Sequence, residues 1–269
     1  MFISKRLVYL QMQKTGSTHV TKVLQQFVGG KKGMRHGQMT DPEKFRKRFI
    51  FSSVRNPWDW YVSLYSFGCA GSGGFRKYLV HVPLSEIRHA IAEKDWAMTR
   101  AALTRAAINP LRGLKFRRLY RDVNNTDNFR AWLKLVLGEE GQHIIKEGYG
   151  TSQIKTSVGF MTYRFLALTT DYNKWMTEGR AARTLDEVRA FADANSITRR
   201  ILRMETLNEE LLEVMKSVGA DVSMEKLEEI GKTNASEHRK YNDYYDDETY
   251  RLVAERDRFI IERFGYQQF

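Results

Sequence analysis

The feature that most constrains this chain is a change of hydrophobic period near its start. Residues 7–10 (Leu-Val-Tyr-Leu) form a short apolar run that is typical of a buried strand. From Ser17 onward the apolar residues recur at the i, i+3, i+4 and i+7 spacing of one helical face: Val20, Val23, Leu24 and Phe27. A strand that turns directly into a helix points the free N–H groups and the positive dipole end of that helix toward a bound anion.

The turn between this strand and this helix carries residues that suit an anion. Residues 14–18 (Lys-Thr-Gly-Ser-Thr) supply one cation, one glycine and three hydroxyls. Gly16 lets the backbone approach a ligand closely, and Lys14 adds a point charge. No glycine precedes Lys14 at the spacing of a Walker A loop, so the stretch is not one. Taken alone, it fits either a phosphate site or a turn that only caps a helix.

A second strand–turn–helix pattern covers residues 48–65. Residues 48–54 are typical of a strand, Asn56 suits a helix N-cap, and Pro57 suits the first helical position. Arg55 is therefore expected at the carboxyl end of a strand, with Ser63 on the following helix. Ligands of open α/β sheets bind at the carboxyl ends of strands, and an Arg with a hydroxyl suits a second phosphate.

Together, the two stretches resemble the donor-binding motifs of the sulfotransferases. Residues 14–18 are similar to that family's 5′-phosphosulfate loop, and residues 55–63 to its 3′-phosphate motif, R-[ND]-P-x-[DE]-x-x-[VI]-S. Arg203-x-Glu205-x-Leu207 and the Asn-x-Ser and Tyr-Tyr elements at 234–236 and 244–245 resemble later motifs of bacterial and carbohydrate-type members. The resemblance brackets most of the chain, with residues 70–195 matching only loosely.

The resemblance implies both a fold and an activity. The fold is α/β: a single P-loop-like domain over residues 1–269, with a central parallel sheet flanked by helices and a mainly helical insertion at about 75–140. The activity is transfer of a sulfuryl group from 3′-phosphoadenylyl sulfate (PAPS) to a hydroxyl of a carbohydrate or small molecule, without a metal. The glycine-rich G-x-x-G element of cytosolic members is absent here, so the adenine contacts are unassigned.

The resemblance also implies which residues bind the donor. Lys14 would be catalytic as well, because the leaving phosphate needs a cation. The expected donor-binding residues are those that would contact phosphate or sulfate oxygens: Lys14, Thr15, Gly16, Ser17, Thr18, Arg55, Ser63 and Arg239.

The base that takes the acceptor's proton should titrate near neutrality, which favours histidine. His36 lies in a basic loop where Lys31, Lys32 and Arg35 would lower its pKa and keep it neutral. Members similar to heparan 2-O-sulfotransferases place a His base in a comparable loop, and others a Glu. We expect His36 to be catalytic. The alternatives are His19, His238 and a carboxylate, whereas Glu205 is expected to pair with a basic neighbour.

The charge balance favours anionic ligands. The chain has 44 basic and 32 acidic residues, a net charge of +12. A kinase or NTPase is an alternative, in which Asp171, after an apolar run at 165–168, could imitate a Walker B metal ligand. A basic nucleic-acid-binding protein is another, but it gives no reason for Arg-Asn-Pro after a strand. We expect a small-molecule or glycan acceptor and no nucleic acid.

Other sequence patterns bear on disulfides, membrane spans, metal sites and localisation. The single cysteine, Cys69, excludes an internal disulfide, no apolar run approaches the ~20 residues of a membrane span, and no His or Cys cluster suits zinc. The first residues lack a long apolar segment, so no signal peptide is expected. These observations predict a cytoplasmic protein without a metal site, and they do not indicate an oligomeric state.

Further elements follow from hydrophobic pattern and helix signals. Residues 160–168 and 201–204 predict strands, and residues 85–105 predict a helix. Thr206 and Glu209 predict a capping box, and a last helix is expected from Asp246 to Phe264. The glycine-rich residues 68–74 predict either a substrate gate or a plain connector.

Overall fold

The computed structural model describes residues 1–80, 113–143, 145–230 and 239–267. It is an α/β structure built on a mixed five-stranded sheet with helices on both faces. The strands are β1 (Phe2–Ile3), β2 (Leu7–Leu10), β3 (Lys31–Lys32), β4 (Phe49–Val54) and β5 (Arg200–Arg203). Their order in the sheet is β3-β1-β2-β4-β5.

The prediction of a parallel sheet is correct for β2, β4 and β5 and wrong for β1. β2, β4 and β5 run parallel, whereas β1 is antiparallel to both β2 and β3. Only residues 4–6 separate β1 from β2. Parallel neighbours need a crossover of about a dozen residues, so a link this short forces an antiparallel pair.

The register brings the carboxyl ends of β2 and β4 side by side. Leu7 lies opposite Phe49 and Leu10 opposite Ser52, so the loops that leave the two strands start from adjacent positions. β5 continues the parallel set, with Phe51 opposite Arg200. The loops that carry Lys14 and Arg55 therefore leave the sheet side by side.

The helices cover both sides of the sheet. Their bounds are α1 (Ser17–Phe27), α2 (Pro57–Cys69), α3 (Gly74–Val80), α4 (Thr126–Leu137), α5 (Glu139–Gln142), α6 (Phe160–Thr169), α7 (Tyr172–Thr177), α8 (Leu185–Asn195), α9 (Leu207–Ser217), α10 (Met224–Glu229), α11 (Asp247–Arg256) and α12 (Arg258–Phe264). Residues 113–119 are also helical. Single 3₁₀ turns occur at Glu43–Phe45, Ile154–Thr156, Gly179–Ala181, Met204–Thr206 and Tyr241–Tyr244.

Side-chain alternation along β2 divides the core into two clusters. Val8 and Leu10 face the side that carries α2, α4 and α6, while Leu7 and Tyr9 face α1 and α9. Because both faces are covered, β2 is apolar at every position, as the run Leu-Val-Tyr-Leu indicates. Across the described residues, no helix combines the length and the apolar character needed to cross a bilayer.

Residues 160–168 form a helix, so the predicted strand is wrong. Within α6 every residue except Arg164 is buried, and a run that is apolar on all sides shows no helical period. The correction also removes the Walker B argument, because Asp171 does not follow a strand. Its carboxylate instead accepts the Lys174 N–H at 3.0 Å and caps α7.

Several helix boundaries match the predictions and others do not. Asn56 caps α2 and Pro57 begins it, as expected. α9 forms without the predicted capping box, because the Thr206 hydroxyl donates to Glu210 at 2.6 Å instead. The last helix is interrupted at Asp257, whose buried carboxylate accepts hydrogen bonds from Tyr61 and Thr162.

Two predictions fall partly or wholly outside the described residues. The helix over 85–105 lies within residues 81–112, and so does much of the predicted insertion at 75–140; its described parts are mainly helical. The glycine-rich stretch 68–74 is a short link, since α2 ends at Cys69 and α3 begins at Gly74.

Candidate functional site

The loop of residues 11–16 joins β2 to α1, as the sequence predicts. Gly16 occupies the N-cap position in a left-handed conformation, with φ of +73°, and Lys14 also has a positive φ, +61°. Among the described residues, the backbone N–H groups of residues 14–19 have no hydrogen-bond partner. They form a set of donors at the positive end of an 11-residue helix.

Packing behind the loop explains why residue 16 is glycine. A Cβ atom there would lie 2.5 Å from Leu207 Cδ2 and 2.7 Å from Met204 Sδ. These two side chains come from the segment that starts α9, on the far side of the loop. The Arg203-x-Glu205-x-Leu207 element therefore helps to hold the shape of the loop.

Thr15 points into the protein rather than toward a ligand. Its hydroxyl donates to the Met12 carbonyl at 3.0 Å and lies 2.7 Å from the Ser53 hydroxyl on β4. The side chain is fully buried. Of the predicted donor-binding residues, Thr15 can thus offer only its backbone N–H, while its hydroxyl fastens the loop to the neighbouring strand.

Lys14 lies among other cations and against an aromatic ring. Its Nζ is 4.4 Å from the centre of the Phe67 ring, and Phe67 is one of the exposed large apolar side chains of the described chain. Burial, assisted by the charges of Arg55 and Arg35, lowers the pKa of Lys14 to about 8. A cation that is partly desolvated beside two arginines is stabilised by a bound anion.

Arg55 links the two predicted motifs directly. Its Nη1 donates to the Lys14 carbonyl at 3.2 Å, while Nη2 and Nε contact Asp59 at 2.6 and 2.7 Å. The sequence predicts the position of Arg55 but not this role as a clamp between the loops. Ser63 lies one turn beyond Asp59 on α2 and is 1% exposed, so it borders the interior side of this group.

Glu205 has a structural role, but not the predicted one. Its Oε1 accepts the Asn56 N–H at 2.7 Å, and Oε2 accepts the Tyr266 hydroxyl at 3.1 Å. The basic residue of the same element, Arg203, pairs with Glu210 at 3.1 Å instead. Glu205 therefore holds the start of α2, next to Arg55, and within the described parts of the chain it pairs with no basic side chain.

His36 lies at the same sheet edge as Lys14. Its Nδ1 is 2.7 Å from the carbonyl of Gln11, the first residue after β2, and its φ is +56°. A carbonyl oxygen can only accept, so the proton must reside on Nδ1 and the lone pair on Nε2. Nε2 is then the atom able to accept a proton from a substrate.

Burial is the largest of the causes that lower the pKa of His36 to about 4. The Gln11 hydrogen bond opposes the shift, and the charges of Arg35, Arg164 and the N-terminal amine contribute to it. Arg35 therefore acts as the sequence predicts. Arg164, whose charge influences the ring from α6, was missed because its segment resembled a strand. Arg164 pairs with Glu147 and stacks over Phe160 at 4.7 Å, and its Nε has no partner among the described residues.

The side chains of the other predicted residues have different surroundings. His19 faces α9, where its Nε2 lies 2.8 Å from Asn208 Oδ1. Arg239 is exposed and lies two residues before the Tyr241–Tyr244 turn, which packs on α2. His238 lies outside the described residues. Ser17 is buried and Thr18 half-buried in the first turn of α1.

Comparison with known proteins identifies no relative. No protein-family model matches the chain, and neither a curated protein nor a solved structure matches it. Among the described residues, no three His, Cys, Asp or Glu side chains are grouped so that they could hold a metal ion.

Proposed function

We propose that this protein is a PAPS-dependent sulfotransferase with a single P-loop-like domain. One observation carries the proposal: the parallel pairing of β2 and β4 brings Lys14, the open N–H groups of residues 14–19 and Arg55 to the carboxyl end of the sheet, where His36 is held on the Gln11 carbonyl. They comprise two sets of hydrogen-bond donors that can bind anions and one proton acceptor. Sulfuryl transfer from a doubly phosphorylated nucleotide needs such a set.

The donor's two phosphates have separate partners in this proposal. The N–H groups of Gly16, Ser17 and Thr18 bind the 5′-phosphosulfate at the start of α1. Arg55 and Ser63 bind the 3′-phosphate, with Asp59 holding the Arg55 guanidinium in place. The positive charges that lower the pKa of Lys14 make this edge unfavourable for a further cation and favourable for such a ligand.

Lys14 and His36 act on the reacting atoms. Lys14 leaves the Phe67 ring and donates to the phosphate oxygen that departs, because negative charge grows there as the sulfur–oxygen bond breaks. His36 Nε2 takes the proton of the acceptor hydroxyl as the new oxygen–sulfur bond forms. Burial, the largest cause of the low His36 pKa, persists in the complex, while the negative charge of the donor opposes the charges of Arg35 and Arg164 and shifts the pKa upward.

The kinase alternative loses its specific support, because Asp171 caps α7 rather than following a strand. The acceptor class, a carbohydrate or small-molecule hydroxyl, remains part of the proposal.

Calorimetry with two nucleotides tests the donor site. We expect 3′-phosphoadenosine 5′-phosphate (PAP) to bind at least 10-fold more tightly than AMP, since charge-assisted hydrogen bonds to the 3′-phosphate contribute about 1.5–3 kcal/mol. Equal affinities would refute a PAPS site. A screen of hydroxyl acceptors with PAPS, read by the mass gain of one sulfuryl group, then tests transfer itself.

A further inference from the structure

A second group of cations lies at the opposite edge of the sheet. Because β2, β4 and β5 are parallel, the residues that begin them meet at one edge, just as their carboxyl ends meet at the other. Each of the three strands starts with, or directly follows, a run of basic residues. We name these seven residues the basic edge: Lys5, Arg6, Arg46, Lys47, Arg48, Arg199 and Arg200.

Hydrogen bonds between the strand starts hold the basic edge together. The Phe49 N–H donates to the Arg6 carbonyl at 2.9 Å, and the Arg199 N–H donates to the Ile50 carbonyl at 2.7 Å. The Arg199 side chain also donates to the Arg46 carbonyl at 3.4 Å. With neighbouring strands about 4.8 Å apart, the three basic runs form one surface about 10 Å wide.

Few carboxylates compensate the basic edge. Arg46 lies 3.7 Å from Glu43 and Arg200 lies 2.6 Å from Glu213. The other five have no carboxylate within 4.0 Å among the described residues, although Arg6 donates to two backbone carbonyls at the end of α9. Six of the seven are exposed and Arg48 is half-buried. Such a surface favours a partner with many negative charges, because binding releases counterions.

The side chains of the basic edge also limit the kind of partner. The exposed large apolar side chains of the described residues, Met34, Phe67, Leu114 and Met176, do not belong to these strand starts. Insertion into a membrane and stacking on nucleic-acid bases both need such groups. Five of the seven residues are arginines, whose planar donors suit the flat oxygen groups of carboxylates and sulfates.

We propose that the basic edge binds a polyanionic polysaccharide, one that carries carboxylate or sulfate groups, at a site separate from the candidate active site. The choice of a polysaccharide among polyanions rests on the proposed function, while the binding itself does not depend on it. Such a site would hold a polymer on the protein between reactions at the other edge.

Heparin serves as the probe, and one cation is removed at each strand start. The variant Lys5→Gln/Lys47→Gln/Arg199→Gln should bind fluorescent heparin about 10- to 100-fold more weakly at 0.15 M salt, with the salt slope reduced by about three. The control Lys22→Gln/Lys115→Gln/Arg117→Gln removes two lysines and one arginine that are exposed elsewhere, and it should stay within twofold. The charge-conserving Lys5→Arg/Lys47→Arg/Arg199→Lys protein should retain binding, which separates charge from folding.

Several outcomes would overturn this inference. Equal losses in the two triple-Gln proteins would mean that only net charge matters. Equal affinity for duplex DNA, or for vesicles of phosphatidylcholine and phosphatidylserine, would remove the assignment to a polysaccharide. PAP affinity, measured in parallel, should be unchanged in every variant, so a failure of the donor site and a failure of the basic edge give different results.

Discussion

Gly16→Ala is the most direct test of how the candidate site is built, because its effect can be worked out from two separate terms. At φ of +73° an alanine bears the left-handed backbone penalty of roughly 1–2 kcal/mol. The added Cβ would also lie 2.5 Å from Leu207 and 2.7 Å from Met204, and such crowding costs about 1–3 kcal/mol. The total is a loss of roughly 2–5 kcal/mol in the free energy of unfolding.

Gly29 offers a matched control. Its φ is +68°, nearly that of Gly16, yet an added Cβ there meets nothing within 4 Å. Gly29→Ala should therefore lose only the backbone term. Urea unfolding at constant m-value measures both variants, and the difference of about 1–3 kcal/mol isolates the packing of the loop against the start of α9.

The same substitution should weaken donor binding. If the alanine displaces the loop, one N–H group loses its bond to a charged oxygen, and PAP affinity should fall about 10-fold or more. Leu207→Ala should cost less stability in the Gly16→Ala background than in the wild type, and a double-mutant cycle measures this coupling. The reasoning is refuted if Gly16→Ala is no less stable than Gly29→Ala.

The other predictions concern charge and protonation at the site. Lys14→Ala should raise the activation free energy of transfer by about 3–4 kcal/mol. In the wild type, PAP affinity should fall above about pH 8 as Lys14 loses its proton. Lys14→Arg should remove that fall, because arginine keeps its charge. His36→Ala should keep PAP affinity and lose about 10²–10⁴ in rate, and the acidic limb of the pH–rate profile should disappear. Arg55→Ala should weaken PAP far more than AMP, and Asp59→Asn should weaken PAP less than Arg55→Ala does, because the cation remains.

The His36 pKa also predicts a change of stability with pH. His36 has a folded pKa of about 4 against an unfolded value near 6.5, so the unfolded chain binds more protons between these values. The His36 contribution is complete above about pH 6.5 and is lost as pH falls toward 4. His36→Ala should therefore show a shallower loss of stability in this window than wild type. Parallel curves would contradict the pKa assignment.

Controls separate these effects from unfolding. Each variant should unfold cooperatively with the wild-type m-value. A His36→Ala enzyme within threefold of wild-type turnover would transfer the role of base to His19 or a carboxylate. If Arg55→Ala weakens PAP and AMP equally, Arg55 acts only as the clamp on the Lys14 carbonyl.

Local sequence was sufficient where a short pattern has one structural solution. The change of period at Ser17 placed α1, and Asn56-Pro57 placed the start of α2, because capping and helix-start preferences act within a few residues. The run at 160–168 had two solutions. Both a strand and a helix fit its apolar pattern. The segment is a helix because it packs against other elements on all sides, and local sequence preference does not indicate such packing.

Local sequence indicates which groups are available to bind anions, because hydrophobic pattern and turn preferences place Lys14, Gly16 and Arg55 at turns. How those groups work together depends on contacts between distant segments. The pairing of β2 with β4 placed the Arg55 side chain on the Lys14 carbonyl, and distant packing assigned Leu207 and Glu205 to the support of the two loops. The two kinds of feature differ in how far apart along the chain the interacting residues lie. Caps and turns depend on neighbours within about four residues, whereas strand pairing, burial and the pKa values of Lys14 and His36 depend on residues brought together by the fold.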